Sequence, residues 1–148
     1  MIKKNLFAHC KNIIHEKLIF LEKQKEELQL ALTAESKSSA GDKHETGRAM
    51  IQIEREKLGR QIAITEKNYN KLFALSSPVN NSLVSLGSLV LTDKGNYYIL
   101  ISVESYFINS KIYYCISSQS PIGKLLLGKK VNDQINFNQN ISTILKII

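Results

Sequence analysis

The chain has 148 residues, of which 43% are hydrophobic and 22% charged, a balance typical of a globular protein and not of a disordered one. Its formal net charge of +7 permits contact with nucleic acid or an acidic protein surface, but the positive charge is spread through both halves of the sequence. No apolar run reaches the roughly 18 residues of a membrane span, and no signal-peptide core follows the basic N-terminus, so we expect a cytoplasmic protein.

The cysteines and the N-terminal histidines favour neither a metal site nor a catalytic site. Cys10 and Cys115 are far apart in the sequence and form no CxxC pair. His9, Cys10 and His15 lack the spacing of four that would place them on one helix face. A chain of this size that is half helical hairpin also has no room for a Cys/His acyl-transfer scaffold. We therefore expect no independent enzyme.

The first half has the pattern of two long helices that pair along one narrow apolar seam. The seam positions recur in steps of three, four and seven, with Lys25 and Arg55 at the skipped positions. An isolated helix with so narrow an apolar stripe is not stable in water. We therefore predict an antiparallel hairpin, about 40 Å long, whose turn spans residues 38–47. The predicted seam comprises Ile14, Leu18, Leu21, Leu28 and Leu32 in the first arm, and Ile51, Leu58, Ile62, Thr65, Tyr69 and Leu72 in the second.

The second half has the pattern of a small sheet. Pro78 and the following asparagines interrupt the helical period, and short runs rich in Ile, Val and Tyr follow, separated by polar clusters. We predict strands over 88–92, 96–103, 110–117, 133–137 and 142–148. The chain thus divides into a hairpin, residues 1–76, and an α+β domain, residues 77–148.

One short helix is predicted within this second half. Ser120 has the N-cap position, Pro121 the first helical position, and Gly128 ends the segment. Packing of this helix on the sheet is expected from its apolar side chains, which are Ile122, Leu125, Leu126 and Leu127.

With these elements in order, the whole chain resembles the Gre family of bacterial transcript cleavage factors. The stretch SPIGKLLLGKKVNDQINF is similar to the family's C-terminal signature, and STILKII to its last strand. The stretch GDKHE is similar to the acidic tip that the family carries between two coiled-coil arms. The C-terminal motif is fairly specific, whereas the Asp-x-x-Glu spacing alone is weak.

The resemblance implies a fold and a function. The C-terminal domain would be FKBP-like without isomerase activity and would bind bacterial RNA polymerase, with docking expected at Ser120, Pro121, Ile122, Gly123 and Lys124. The hairpin would enter the polymerase secondary channel, where Asp42 and Glu45 would help to hold a catalytic Mg²⁺ ion, only within the complex. The polymerase would then cleave the 3′ end of backtracked RNA. The factor itself is expected to be a monomer with no stably bound cofactor and no membrane contact.

The tip departs from the family pattern at several positions. Arg48 stands where the family has a third acidic residue, Ala49 replaces an aromatic one, and His44 precedes Glu45. Lys43, His44 and Arg48 are candidates for contact with RNA phosphate or polymerase carboxylates. Two alternatives remain for the acidic pair. The chain could modulate or inhibit polymerase without stimulating cleavage, or the two carboxylates could simply favour a helix N-terminus.

Overall fold

A computed structural model describes residues 2–37, 41–75 and 81–148; the side chains of residues 35–37 and 41–45 lie outside this description. The order is that of an α+β protein, with two long helices followed by a sheet domain, as predicted, and the sheet is mixed and has six strands. Within the described ranges, none of the helices combines the length and the apolar character needed to cross a lipid bilayer. The elements are α1 (Ile2–Lys37), α2 (Gly41–Phe73), β1 (Leu89–Thr92), β2 (Asn96–Leu100), β3 (Val103–Ile108), β4 (Lys111–Ser117), α3 (Pro121–Leu126), β5 (Gln134–Phe137) and β6 (Asn140–Ile147).

The predicted seam holds the two long helices together. Leu21 of α1 packs with Leu58 and Ile62 of α2 in one buried cluster, and Leu28 lies against it. Lys25 and Arg55, the predicted gaps in the seam, are exposed. The other seam side chains are buried or half-buried: Ile14, Leu18, Leu32, Ile51, Thr65, Tyr69 and Leu72.

Thr65 is the polar member of this seam, and its hydroxyl has a partner within the helix. Its Oγ1 donates a hydrogen bond of 2.7 Å to the backbone carbonyl of Gln61, one turn earlier. A buried hydroxyl without such a bond would cost free energy, so the back-bond lets threonine occupy an otherwise apolar position.

Both helices are longer than predicted. Their 36 and 33 residues correspond to about 54 and 50 Å at a rise of 1.5 Å per residue. The predicted turn over residues 38–47 was too long, because α2 begins at Gly41. At the other end, Leu6 and Cys10 are fully buried and extend the stripe towards the N-terminus in steps of four.

The sheet has the strand order β3-β4-β2-β1-β6-β5. β2 and β4 pair in parallel and all other neighbours are antiparallel. The turn after β1 is fixed by Thr92, whose Oγ1 donates to the carbonyl of Gly95 at 2.7 Å and accepts from the Lys94 and Gly95 amides. The two later hairpins turn through pairs of residues with positive φ, as primed two-residue turns require. These pairs are Asn109–Ser110 and Asn138–Gln139.

The sheet is covered on both faces. On one face, Ile99 packs in a core cluster with Ile122 and Leu126 of α3. On the other, Tyr98 lines a cavity with Phe7 of α1 and Leu72 of α2. A strand that is buried on both faces has a continuous apolar sequence. This explains why residues 98–101 are all buried and do not alternate between buried and exposed.

Two details of the predicted sheet domain were wrong. The single strand predicted over 96–103 is wrong, because β2 ends at Leu100 and a separate strand, β3, begins at Val103. The short helix was expected to bury four apolar side chains, yet Leu125 and Leu127 are each 37% exposed. A six-residue helix has one face towards the sheet, and Ile122 and Leu126, four residues apart, occupy that face.

The contacts between residues divide the chain into two compact units. One consists of Met1–Ile13 with Asn70–Ile148, and the other of Ile14–Tyr69. The first turns of α1 and the end of α2 thus belong with the sheet. The sequence-based division between residues 76 and 77 stays a prediction.

Replacing a seam leucine should destabilise the hairpin unit. We expect Leu58→Ala to lower the free energy of unfolding by about 2–5 kcal/mol, because it leaves a cavity beside Leu21 and Ile62. Urea unfolding followed by far-ultraviolet circular dichroism measures the change. The matched control is Ile53→Ala on the same helix, where the side chain is 63% exposed and the change should stay within about 0.5 kcal/mol. Equal losses in both variants would contradict the seam.

Candidate functional site

The tip residues lie at the start of α2. Because α2 begins at Gly41, positions 42 and 45 fall in its first turns and are three residues apart, the spacing of neighbours on one helix face. The side chains of Asp42, Lys43, His44 and Glu45 lie outside the described residues. Their roles in metal binding and polymerase contact stay predictions.

The described part of the tip begins with Thr46. Arg48 and Ala49 are both exposed. A guanidinium group at this position is available to phosphate or carboxylate groups of another molecule. It stands one helical turn after position 45, close enough by register to offset negative charge there.

The second predicted site is the loop that leads into α3, and Ser120 organises it. Its Oγ accepts a hydrogen bond of 3.1 Å from the Gly123 amide, which caps the helix, and donates one of 2.6 Å to the carbonyl of Ser117. Pro121 occupies the first turn of α3, where a backbone N–H has no partner within the helix. The absence of an N–H on proline therefore loses no hydrogen bond. Gly128 ends the segment at φ 77°. The predicted cap, first turn and end are confirmed.

Gly123 has a steric role in this loop. A Cβ atom at this position would overlap the carbonyl oxygen of Ser117 and would lie 2.8 Å from the Ser120 Oγ. Both neighbours are held by hydrogen bonds, so neither can move away without losing one. Glycine therefore allows α3 to approach the end of β4.

The N-terminal histidines are engaged in contacts that explain them without a metal. The Nε2 of His9 lies 2.8 Å from the carbonyl oxygen of Glu104, and its ring centroid is 5.0 Å from that of Tyr106. His15 lies against Tyr69, with ring centroids 6.4 Å apart. Among the residues that the structure describes, no three His, Cys, Asp or Glu side chains are grouped to hold a metal ion.

The structure brings together two cysteines that the sequence keeps far apart. Cys10 and Cys115 are free and buried. The neighbouring Cys115 thiol, followed by burial, raises the pKa of the Cys10 thiol. No CxxC spacing indicates this pair in the sequence, because only the fold brings the two residues near each other.

Residues 77–148 match a protein-family model described as "Transcription elongation factor, GreA/GreB, C-term". Residues 77–148 are therefore a GreA/GreB C-terminal domain. The comparison with curated proteins gives no match.

Two solved structures are similar to the chain. One is the crystal structure of GreA factor homolog 1 (Gfh1) of Thermus thermophilus, at 16% identity and a TM-score of 0.36, covering 93% of this chain and 94% of that one. The other is described as the structure of the transcription factor Gfh1, at 17% identity and a TM-score of 0.35, with 93% and 92% covered. These scores are too low to support a conclusion about function.

Within the GreA/GreB domain, the five predicted docking residues divide by exposure. Pro121 and Lys124 are exposed and available to a partner. Ile122 and Gly123 are buried, and Ser120 is half-buried and occupied as the helix cap. A docking role of this loop stays a prediction, and it would depend on the two exposed side chains.

The close approach at Gly123 generates a prediction for the GreA/GreB domain. We expect Gly123→Ala to lower its free energy of unfolding by about 1–3 kcal/mol, since the added methyl group displaces a hydrogen-bonded carbonyl. Thermal unfolding of the full chain measures the loss. Gly59→Ala serves as the control, because the α2 position is open and alanine should stabilise the helix by roughly 0.5–1 kcal/mol. An unchanged melting temperature for Gly123→Ala would contradict the steric argument.

Proposed function

We propose that this protein is a transcription elongation factor that binds RNA polymerase and acts through its secondary channel. The match of residues 77–148 to the GreA/GreB C-terminal domain carries the proposal. In Gre factors, this domain binds the polymerase and a helical hairpin reaches the active site. The chain has a hairpin in the same sequence order, ahead of the domain.

The hairpin has the dimensions that such a role needs. Within the unit Ile14–Tyr69, the two helical arms, residues 14–37 and 41–69, correspond to about 36 and 44 Å at a rise of 1.5 Å per residue, and each helix is about 10–12 Å across. A buried cluster of leucine and isoleucine stabilises it, and most of the polar side chains of the two helices that the structure describes are exposed. A pair of helices of this kind can carry its end residues into the active site of another molecule.

We further propose that Asp42 and Glu45 assist cleavage of backtracked RNA. Mg²⁺ in nucleotide chemistry takes one or two protein carboxylates, with water and phosphate oxygens as the other ligands, and two carboxylates three residues apart on a helix fit that donor set. When bound, the ion would supply an activated water for phosphodiester hydrolysis. The role of Asp42 and Glu45 is to present carboxylate oxygens at the end of the hairpin. The catalytic machinery remains that of the polymerase.

A second candidate function is modulation of the polymerase without stimulation of cleavage. The exposed guanidinium of Arg48 favours it, because a positive charge replaces the third acidic residue of the family tip. Ala49 likewise offers no ring at the position of the family's aromatic residue.

RNA release from stalled elongation complexes tests the acidic tip. We expect the wild-type chain to accelerate release of 3′ fragments, and Asp42→Asn or Glu45→Gln to reduce the rate by about tenfold or more, equivalent to about 1.4 kcal/mol. The control is Glu54→Gln, an exposed acidic residue farther along the same helix, which should act as wild type does.

Three outcomes of this experiment are distinguishable. Loss confined to the two tip variants supports cleavage stimulation. Equal and negligible release by all variants, with retained polymerase binding, supports the modulator. A wild-type chain that does not bind polymerase in a pull-down overturns the proposed function as a whole.

The charge at position 48 provides a separate prediction. We expect Arg48→Glu to raise the rate of RNA release at least about threefold, because it restores negative charge one turn after Glu45. The matched charge reversal Arg60→Glu, also exposed on α2, should leave the rate unchanged. A lower rate for Arg48→Glu would show that the guanidinium instead supports the activity.

A further inference from the structure

A cavity of about 320 Å³ lies within the GreA/GreB domain, beside the core cluster that α3 forms with the sheet. Its volume is at the lower end of the range for small-molecule sites, about 300–1,000 Å³. The cavity lies where the turn after β1, the first turn of α3 and the β5–β6 hairpin meet, and its lining belongs to one compact unit. The lining residues are Lys94, Tyr97, Ile122, Phe137, Asn140 and Ser142.

Ser142 places a hydroxyl group on the apolar face of the sheet. It stands opposite Ile135 and two residues before Ile144, and both isoleucines belong to the core cluster. Ser142 is 7% exposed, and in the part of the chain that the structure describes its Oγ is paired with no donor or acceptor. No unpaired side-chain oxygen of a buried residue there is sealed from solvent, so this hydroxyl opens into the cavity that Ser142 lines. A hydrogen-bonding partner for it must come from the cavity.

Lys94 gives the cavity its positive charge. The backbone beside it is fixed, because the Lys94 amide donates a hydrogen bond of 3.1 Å to the Oγ1 of Thr92. The preceding residue, Asp93, is not part of the lining, and its Oδ1 accepts a hydrogen bond of 2.8 Å from the Thr143 amide. The lining therefore presents an ammonium group and no carboxylate, which favours an anionic group in the cavity.

Tyr97 contributes both a hydroxyl group and an apolar ring. The ring stacks on that of Tyr114, with centroids 5.7 Å apart, and Gly95 leaves room for the phenol, since a Cβ atom there would lie 3.0 Å from the Tyr97 Oη. Burial, followed by the nearby Tyr114 phenol, raises the pKa of Tyr97, so its hydroxyl keeps its proton and can donate. Ile122 and Phe137, which pack in and against the core cluster, complete the apolar walls.

We propose that this cavity binds a small aromatic carboxylate. The Lys94 ammonium and the hydroxyl groups of Tyr97 and Ser142 hold the carboxylate, and the ring of the ligand packs against Ile122 and Phe137. The inference is independent of the proposed function, because such a ligand requires neither polymerase nor RNA.

Titration of the full chain with sodium benzoate, followed by two-dimensional NMR of the ¹⁵N-labelled protein, tests the proposal. We expect saturable shifts confined to the amides that surround the cavity, with a Kd of about 1 mM or tighter for so small a ligand. Benzamide has the same shape without the charge, and inorganic phosphate has charge without the ring, so each should bind at least about fivefold more weakly. Equal affinity for benzoate and either of these probes, or shifts that do not saturate, would overturn the proposal.

A matched pair of lysine variants assigns the charge. Lys94→Met should weaken benzoate binding at least about fivefold and leave benzamide binding unchanged, because it removes the charge and keeps a side chain of similar length. The control is Lys146→Met, an exposed residue of β6 outside the lining, which should bind benzoate as wild type does. Ser142→Ala should weaken benzoate binding about threefold, through the loss of one hydrogen bond.

Unchanged benzoate binding by Lys94→Met, or an equal loss in Lys146→Met, would show that the cavity is not the site. The NMR spectrum of each variant reports whether it is folded. If a variant fails to fold, the comparison of benzoate, benzamide and phosphate on the wild-type chain still decides the proposal.

Discussion

Neither long helix of this protein can be stable alone in water. Each carries an apolar stripe about one residue wide per turn, and such a stripe contributes stability only when a second helix covers it. Leu21, Leu58 and Ile62 provide that cover, and the gaps in the stripe are filled by charged side chains that stay exposed. The position of the tip follows from this pairing, because the register of the seam fixes which residues stand at its end.

The start of α3 also depends on a few residues with structural roles. Ser120 and Gly123 are part of a motif that is readily taken for a binding loop, yet both have structural roles here. The serine satisfies an amide and a carbonyl at once, and the glycine admits the Ser117 carbonyl where a side chain would clash. Family motifs of this kind combine a folding signal with an exposed surface, and here the exposed side chains are those of Pro121 and Lys124.

Much of the fold could be predicted from the sequence because its signals are local. The seam, the helix cap and five of the strand regions each follow from spacing or from turn chemistry within a few residues. The separate strand β3 was missed because Ile101 is buried by tertiary packing and continues the apolar run beyond Leu100, where β2 ends. The proximity of Cys10 and Cys115 could not be foreseen, because the two residues lie far apart in the sequence. At the tip, spacing predicted which carboxylates share a helix face, but their chemistry depends on another molecule.

The grouping of Met1–Ile13 with Asn70–Ile148 has a consequence for biosynthesis. The hairpin unit is contiguous in sequence and can pair while the ribosome is still translating the remainder. The sheet cannot close so early, because β1 is flanked by β6, the last strand to emerge. Until then, the apolar side chains of the first three helical turns lack their partners on the nascent polypeptide, the interval when chaperones bind such segments. The first turns of α1 thus reach their native environment later than the hairpin that follows them in the sequence.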